Sequence, residues 1–214
     1  MDEEIIIIDG NTRNEKIKNF FIKNKQNLLI AITIIIITLI GYFVFDEIKK
    51  KNKIKLADQF NNAVINFNIG KKDRIVEELT YLVNKKDKTY SPLSLYFLID
   101  NNLIESRDEV NNLFNILIQK TNLKIDIKNL IIYKKALFNS EFLDENELIQ
   151  ILNPIINSES IWKSHALYLM AEYFYAKNER EKSKEFFNQV IALPEGNQDV
   201  KLESQKRLNK DFSE

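Results

Sequence analysis

Residues 26–45, QNLLIAITIIIITLIGYFVF, run without a single charged side chain and contain seven isoleucines. About 20 helical residues cross a hydrocarbon core of roughly 30 Å, so this run predicts one membrane-spanning helix. A buried core helix would show a polar stripe somewhere around its circumference, and this segment is apolar on every face. A cleaved secretory signal is opposed by two features. The run exceeds the usual apolar length of a signal, and it ends in bulky Tyr42, Phe43 and Phe45 instead of small residues. Those three aromatics belong at one membrane interface. Thr33, Thr38 and Gly41 offer small or hydroxylated surface for another membrane helix, although threonine hydroxyls commonly bond back to their own helix carbonyls.

The flanks say less about orientation. Arg13, Lys16, Lys18, Lys23 and Lys25 precede the run, and Lys49, Lys50, Lys51, Lys53 and Lys55 follow it. Five cations on each side leave the positive-inside rule without a vote. The tail before the run is only 25 residues long, and the large C-terminal part crosses a membrane with little regard to local charge, so an inside N-terminus is expected. Within that tail, the acidic start Met1–Glu4 with Ile5–Ile8 patterns neither as a helix stripe nor as a stable lone strand. It is expected to be disordered, or to act as a short docking peptide. From Glu15, the stretch EKIKNFFIKNKQ puts Ile17, Phe20 and Phe21 on one helical stripe among lysines. Phe20, Phe21, Lys23 and Lys25 therefore make a membrane-interface lead-in suited to an anionic lipid surface.

Composition closes off several classes. With 31 basic and 31 acidic residues the net charge is zero, and no overall field draws the chain to nucleic acid. There is no cysteine, which excludes thiol chemistry, Cys-ligated metal and disulfides. A single histidine, His165, rules out histidine clusters and leaves that residue as a helix side chain at a groove edge. Four scattered glycines build no phosphate-binding loop. Glu77-Glu78 and Asp144, Glu145 and Glu147 read as solvated acidic faces, and the lysines after the span read as lipid-contacting or solubilising. No catalytic residue, metal or cofactor is expected. Gly and Pro together number seven, few enough to argue for long helices over a turn-rich β fold.

After a basic helical linker over residues 46–56, residues 57–214 repeat weakly with a period near 35. A small or apolar residue on a first helix is followed by residues 12, 16 and 19 positions later on a second. The four sets are Ala63 with Ile75, Leu79 and Leu82; Leu98 with Val110, Phe114 and Leu117; Ala136 with Leu148, Leu152 and Ile155; and Ala171 with Ser183, Phe187 and Val190. Their leading residues lie 35, 38 and 35 apart. Polar turns are expected at 70–73, 105–108, 144–146 and 177–180, with inter-repeat breaks at 84–88, 121–122 and 157–160, the last supplying a serine N-cap. The spacing matches the tetratricopeptide repeat, and the fourth copy is nearest to it, with Ala171, Phe174, Ser183 and Pro194 at pattern positions. Leu98 and Leu148 depart from it, standing where small residues are usual. Residues 198–212 pattern as a capping helix.

The fold class is therefore all-α: a single N-terminal transmembrane helix, then an α-solenoid of about four helical hairpins and a C-terminal cap. First-helix residues line the concave side of such solenoids. The candidate partner groove is Phe60, Val64, Phe67, Leu95, Ile99, Tyr133, Leu137, His165, Tyr168, Glu172 and Tyr175, some of which would instead pack between neighbouring first helices. Trp162 is expected to anchor the third repeat to the fourth.

Three segments in order resemble one family. They are IKNFFIKNKQNLLIA, YSPLSLYFLIDNNLIESRDEVNNLF and IWKSHALYLMAEYFYAKNEREKSKEFF, which run into the span, the second repeat and the last repeat. Together they resemble the YfgM-like ancillary subunit of the bacterial Sec translocon. That resemblance implies a non-enzymatic inner-membrane protein with its tail in the cytoplasm and its repeats in the periplasm. Its partners would be translocon subunits, periplasmic chaperones or exported clients, and membrane lipid. Two alternatives are an adaptor sequestering a cytoplasmic stress-response factor and a scaffold for envelope assembly. Oligomeric state is not indicated.

Overall fold

A computed structural model describes residues 10–70 and 74–212. The acidic-isoleucine start, the centre of the 70–73 turn and the last two residues lie outside the described residues. Among the described residues the chain is wholly helical, with ten helices and no strand: α1 (Gly10–Lys23), α2 (Lys25–Asn68), α3 (Ile75–Asn84), α4 (Tyr90–Asp100), α5 (Arg107–Lys120), α6 (Ile125–Asn139), α7 (Glu145–Ile156), α8 (Lys163–Ala176), α9 (Arg180–Ala192) and α10 (Gln198–Asp211). Two compact units are present, Met1–Lys55 and Leu56–Glu214.

The first unit holds α1 and most of α2. Among the described residues, α2 is the one helix long and apolar enough to cross a membrane, and none of its apolar window is buried by protein. Thr33 and Thr38 donate their hydroxyls to the carbonyls of Leu29 and Ile34, both at 2.8 Å, which hides two polar groups that hydrocarbon would penalise. Gly41 has no neighbour within 4 Å on its open side. The helix does not stop at Phe45. It continues without a break through the lysine-rich segment, where Lys50 and Lys51 pair with Asp46 and Glu47 one turn back. α1 starts at Gly10, ahead of the Glu15 where the amphipathic pattern begins.

The second unit starts within α2 at Leu56. All four leading positions and all twelve positions that follow them are at most 2% exposed, from Ala63 to Val190. All sixteen therefore belong to the interior of the second unit. The helices pack in chain order: α3 on α4, α4 on α5, α5 on α6, α6 on α7, α7 on α8, α8 on α9 and α9 on α10. Contacts two elements along join α3 to α5, α6 to α8 and α8 to α10.

The core divides at α6. Ile131 belongs to a cluster that reaches back to Ala63, whereas its neighbour Ile132 belongs to one that reaches forward to Phe174. Polar ties hold the seam. Asn111 and Asn139 exchange side-chain amide hydrogen bonds of 2.9 and 2.8 Å, and buried Asn139 also donates to the Lys135 carbonyl. A reciprocal amide pair satisfies both buried groups and fixes the register of α5 on α6.

Helix ends follow the polar breaks. Ser106 accepts from the Glu109 amide, and Asp144 forms a capping box with Glu147. The serine expected to cap α8 does something different. Trp162 occupies the N-cap position, and Ser160 instead accepts the Trp162 amide at 3.1 Å and a hydrogen bond from Asn129 at 3.0 Å. The short turn after Asn157 leaves Ser160 two residues too early to cap the helix itself.

Candidate functional site

The candidate groove resolves into four stretches with different fates. On α2, the rings of Phe60 and Phe67 meet Phe97 of α4 edge-on, at 6.4 and 5.2 Å between centroids, and Phe60 also leans on Tyr90. With half-buried Val64 beside them, these side chains close the surface between α2 and α4. Leu95 is a correction: it is completely buried, part of the first core and not of a groove. Its position on α4 falls one turn before Leu98, on the stripe that faces α3 and α5.

Tyr133, Trp162 and His165 form an aromatic joint between α6 and α8. Trp162 stacks on Tyr133 with an interplanar angle of 16° and donates its indole N–H to the Asp126 carbonyl at 3.0 Å. His165 meets both rings, at 5.8 Å from Tyr133 and 5.1 Å from Trp162. Burial raises the Tyr133 phenol and lowers the His165 imidazole from their ordinary values. A histidine depressed in the folded state contributes stability above its unfolded value that is lost as pH falls through the folded one. Because His165 is the only histidine, the joint should loosen on acidification below about pH 6.5. Thermal midpoints at pH 7.5 and 5.5 should differ more in the native chain than in His165→Gln. An equal pH dependence in the two would remove His165 as its source.

Tyr168, Glu172 and Tyr175 are covered by α10. Arg207 grips Glu172 through two N–H···O contacts of 2.8 and 3.1 Å, and its guanidinium lies 4.3 Å over the Tyr175 ring and also pairs with Asp211. Phe212 packs against Tyr175 and Phe187, and Arg180 donates to the Asp211 carbonyl at 2.8 Å. Burial, reinforced by the Glu172 carboxylate, pushes the Tyr168 phenol up to about 12. α10 and Phe212 thus cover part of this face of α8 and leave Tyr168, Glu172 and Tyr175 half-buried.

What stays open lies between α4 and α6. Ile99, half-buried, and Leu137, 49% exposed, border a cleft of about 240 Å³ together with Tyr96, Asp100, Lys134 and Phe138. Lys134 sits 4.5 Å over the Tyr96 ring. The Tyr96 hydroxyl is buried without a hydrogen-bond partner, and that burial, with Asp100 nearby, drives its phenol far above the usual range. Tyr96, Lys134 and Phe138 were not among the sequence candidates. Their signal was present: 96, 99 and 100 share one face of α4, and 134, 137 and 138 share one face of α6.

At the membrane-interface positions, Phe20 and Phe21 are more than half exposed, as are Tyr42, Phe43 and Phe45 at 65–68%. Lys23 and Lys25 are likewise exposed. No protein surface in the first unit accounts for these rings. Among the described residues no cluster of His, Asp and Glu could hold a metal ion. Comparisons with protein-family models, with curated proteins and with solved structures return no match.

Proposed function

We propose that the chain is a membrane-anchored tetratricopeptide-like repeat protein that binds polypeptide and assists export at the Sec translocon. In this account α2 crosses the bacterial inner membrane with α1 on the cytoplasmic side. The paired helices α2–α3, α4–α5, α6–α7 and α8–α9 are four hairpins of one solenoid in the periplasm, and α10 is its cap. The function is binding, without catalysis. Translocon subunits, a chaperone or an exported client are the partners, and lipid contacts the lysines and aromatic rings of the first unit.

The observation that carries the binding role is the α4–α6 cleft. It joins apolar Ile99, Leu137 and Phe138 to the Lys134 ammonium, which lies over the Tyr96 ring. Such a surface suits an extended segment that brings apolar side chains and a carbonyl for the lysine. The export role rests on the resemblance of the three sequence segments to the YfgM-like family, together with the exposed apolar run of α2.

A photo-crosslinking amino acid in place of Leu137 tests both parts in cells. Adducts with an exported polypeptide or a translocon subunit are expected, and far fewer from the same group at Tyr175, which Arg207 and Phe212 partly cover. Adducts confined to a cytoplasmic factor would replace the export role with the adaptor role. Equal adducts from both positions would dismiss the cleft.

A further inference from the structure

A groove of about 790 Å³ lies between α3 and the C-terminal part of α2, and among the described residues only these two helices line it. The groove takes a stripe of each helix that the core does not use: positions 59, 62 and 66 on α2, and 74, 77, 78 and 81 on α3. The buried stripes face elsewhere. α3 packs on α4 and α5, and α2 sets Phe60 and Phe67 against Phe97 of α4. At the other end of the second unit α10 packs on α8 and α9. Here, by contrast, apolar surface meets solvent: Ile65 and Ile69 are more than half exposed, and Tyr81 is exposed beside them.

The polar groups of this face come in matched kinds. Gln59, Asn62 and Asn66 make no side-chain hydrogen bond among the described residues. Arg74, Glu77 and Glu78 make no ion pair among them. Lys85 lies over the Tyr81 ring at 4.3 Å, so this side of α3 and its C-cap carries Arg74 and Lys85 against Glu77 and Glu78. Balanced charge of that kind suits neither an anionic lipid layer nor a strongly basic segment.

A two-fold contact sets a face against its own copy, so the face has to complement itself. A carboxamide both donates and accepts and therefore pairs with its own kind. Asn111 and Asn139 pair in this way inside the chain. Asparagine in the seam of paired helices also fixes their register. Arg74 stands one turn from Glu77 and Glu78, so each copy offers a cation and acids at neighbouring levels of the same helix.

We infer that the α2–α3 face is a two-fold contact between two copies of this chain, with Asn62 paired across the axis and Arg74 of each copy against Glu77 and Glu78 of the other. The surface is separate from the α4–α6 cleft, and the pairing does not depend on the export role. Where α2 holds two copies in one membrane, their faces stand at one height and at raised local concentration.

The test uses Asn62→Cys in the otherwise cysteine-free full chain, purified in detergent micelles. A short bis-maleimide should convert most of it to a crosslinked dimer, and Lys210→Cys at the exposed end of α10 should stay monomeric. Adding Arg74→Glu, or Glu77→Arg with Glu78→Arg, should each cut the dimer about tenfold, because like charges then face one another. An equal mixture of the two charge variants should restore it. Rescue by mixing shows that both variants are folded. Equal dimer from Asn62→Cys and Lys210→Cys, or dimer indifferent to the charge changes, would assign association to the membrane helix and overturn the face. Charge variants that fail to rescue each other would overturn it as well. Monomer in micelles, with Asn62→Cys crosslinking to a different protein in cell membranes, would give the face to a foreign partner and refute the pairing.

Discussion

Phe174→Ala is expected to cost about 3–5 kcal/mol, a large share of the roughly 5–15 kcal/mol that holds a domain folded. The ring is completely buried at the junction of α8 and α9. It stacks on Phe186 at 5.4 Å, meets Tyr173 edge-on at 5.5 Å, and lies beneath the Lys182 ammonium at 4.9 Å. Neighbours drawn from two helices and fixed by Glu145–Lys182 and Glu179–Lys182 pairs cannot collapse into the space. The loss should also be local. In a chain of helices that pack mainly on their neighbours, α8–α10 should open before α3–α5 does. Hydrogen exchange on the variant should show protection lost first in α8, α9 and α10. Uniform loss through every helix would mean that the second unit melts as one body.

The second large effect concerns the anchor. Ile35 and Ile36 stand at the middle of the apolar run and are 57% and 50% exposed, with no protein packed over them. Arginine at the centre of a membrane helix costs about 2.5–3.5 kcal/mol, so Ile35→Arg with Ile36→Arg should cost about 5–7 kcal/mol of insertion free energy. The doubly substituted chain should leave the alkaline-carbonate membrane pellet, whereas Ile35→Leu with Ile36→Leu should stay in it. Pelleting unchanged by two arginines would mean that this helix is not what holds the chain to a membrane.

Much of this architecture was legible because it follows from periodicity. The 12, 16 and 19 spacing picked out positions that turn out to be buried in every pair, since an apolar residue that recurs at a fixed helical phase has to face the same neighbour each time. The ends of α7 and α10 were legible for the same kind of local reason, as Asp144 and Asn197 cap with their own side chains. The lysine-rich stretch after Phe45 was read as helical, yet its unbroken continuation to Asn68 was not visible, because nothing in its composition marks or forbids a stop.

The groove was harder to read for a physical reason. Which face of a first helix stays open depends on what packs two elements away, and sequence phase alone does not report that. Leu95 went to the core because α3 and α5 converge on it. Glu172 and Tyr175 are partly covered by α10 because Arg207 pairs with one and stacks on the other. Lys134 gave a faint signal, one of two adjacent lysines inside the apolar stretch IIYKKALF, and it lines the α4–α6 cleft. The Asn111–Asn139 pair, 28 residues apart, had no signal at all.

A tether with its binding surface on the far side of the membrane is the central claim, and one labelling experiment reaches it. The chain has no cysteine, so Lys210→Cys at the exposed end of α10 and Asn14→Cys on α1 each give a single reactive thiol. With a membrane-impermeant maleimide on intact spheroplasts, Lys210→Cys should label at once and Asn14→Cys only after permeabilisation. The reverse pattern would put the helical pairs in the cytoplasm and contradict the export account.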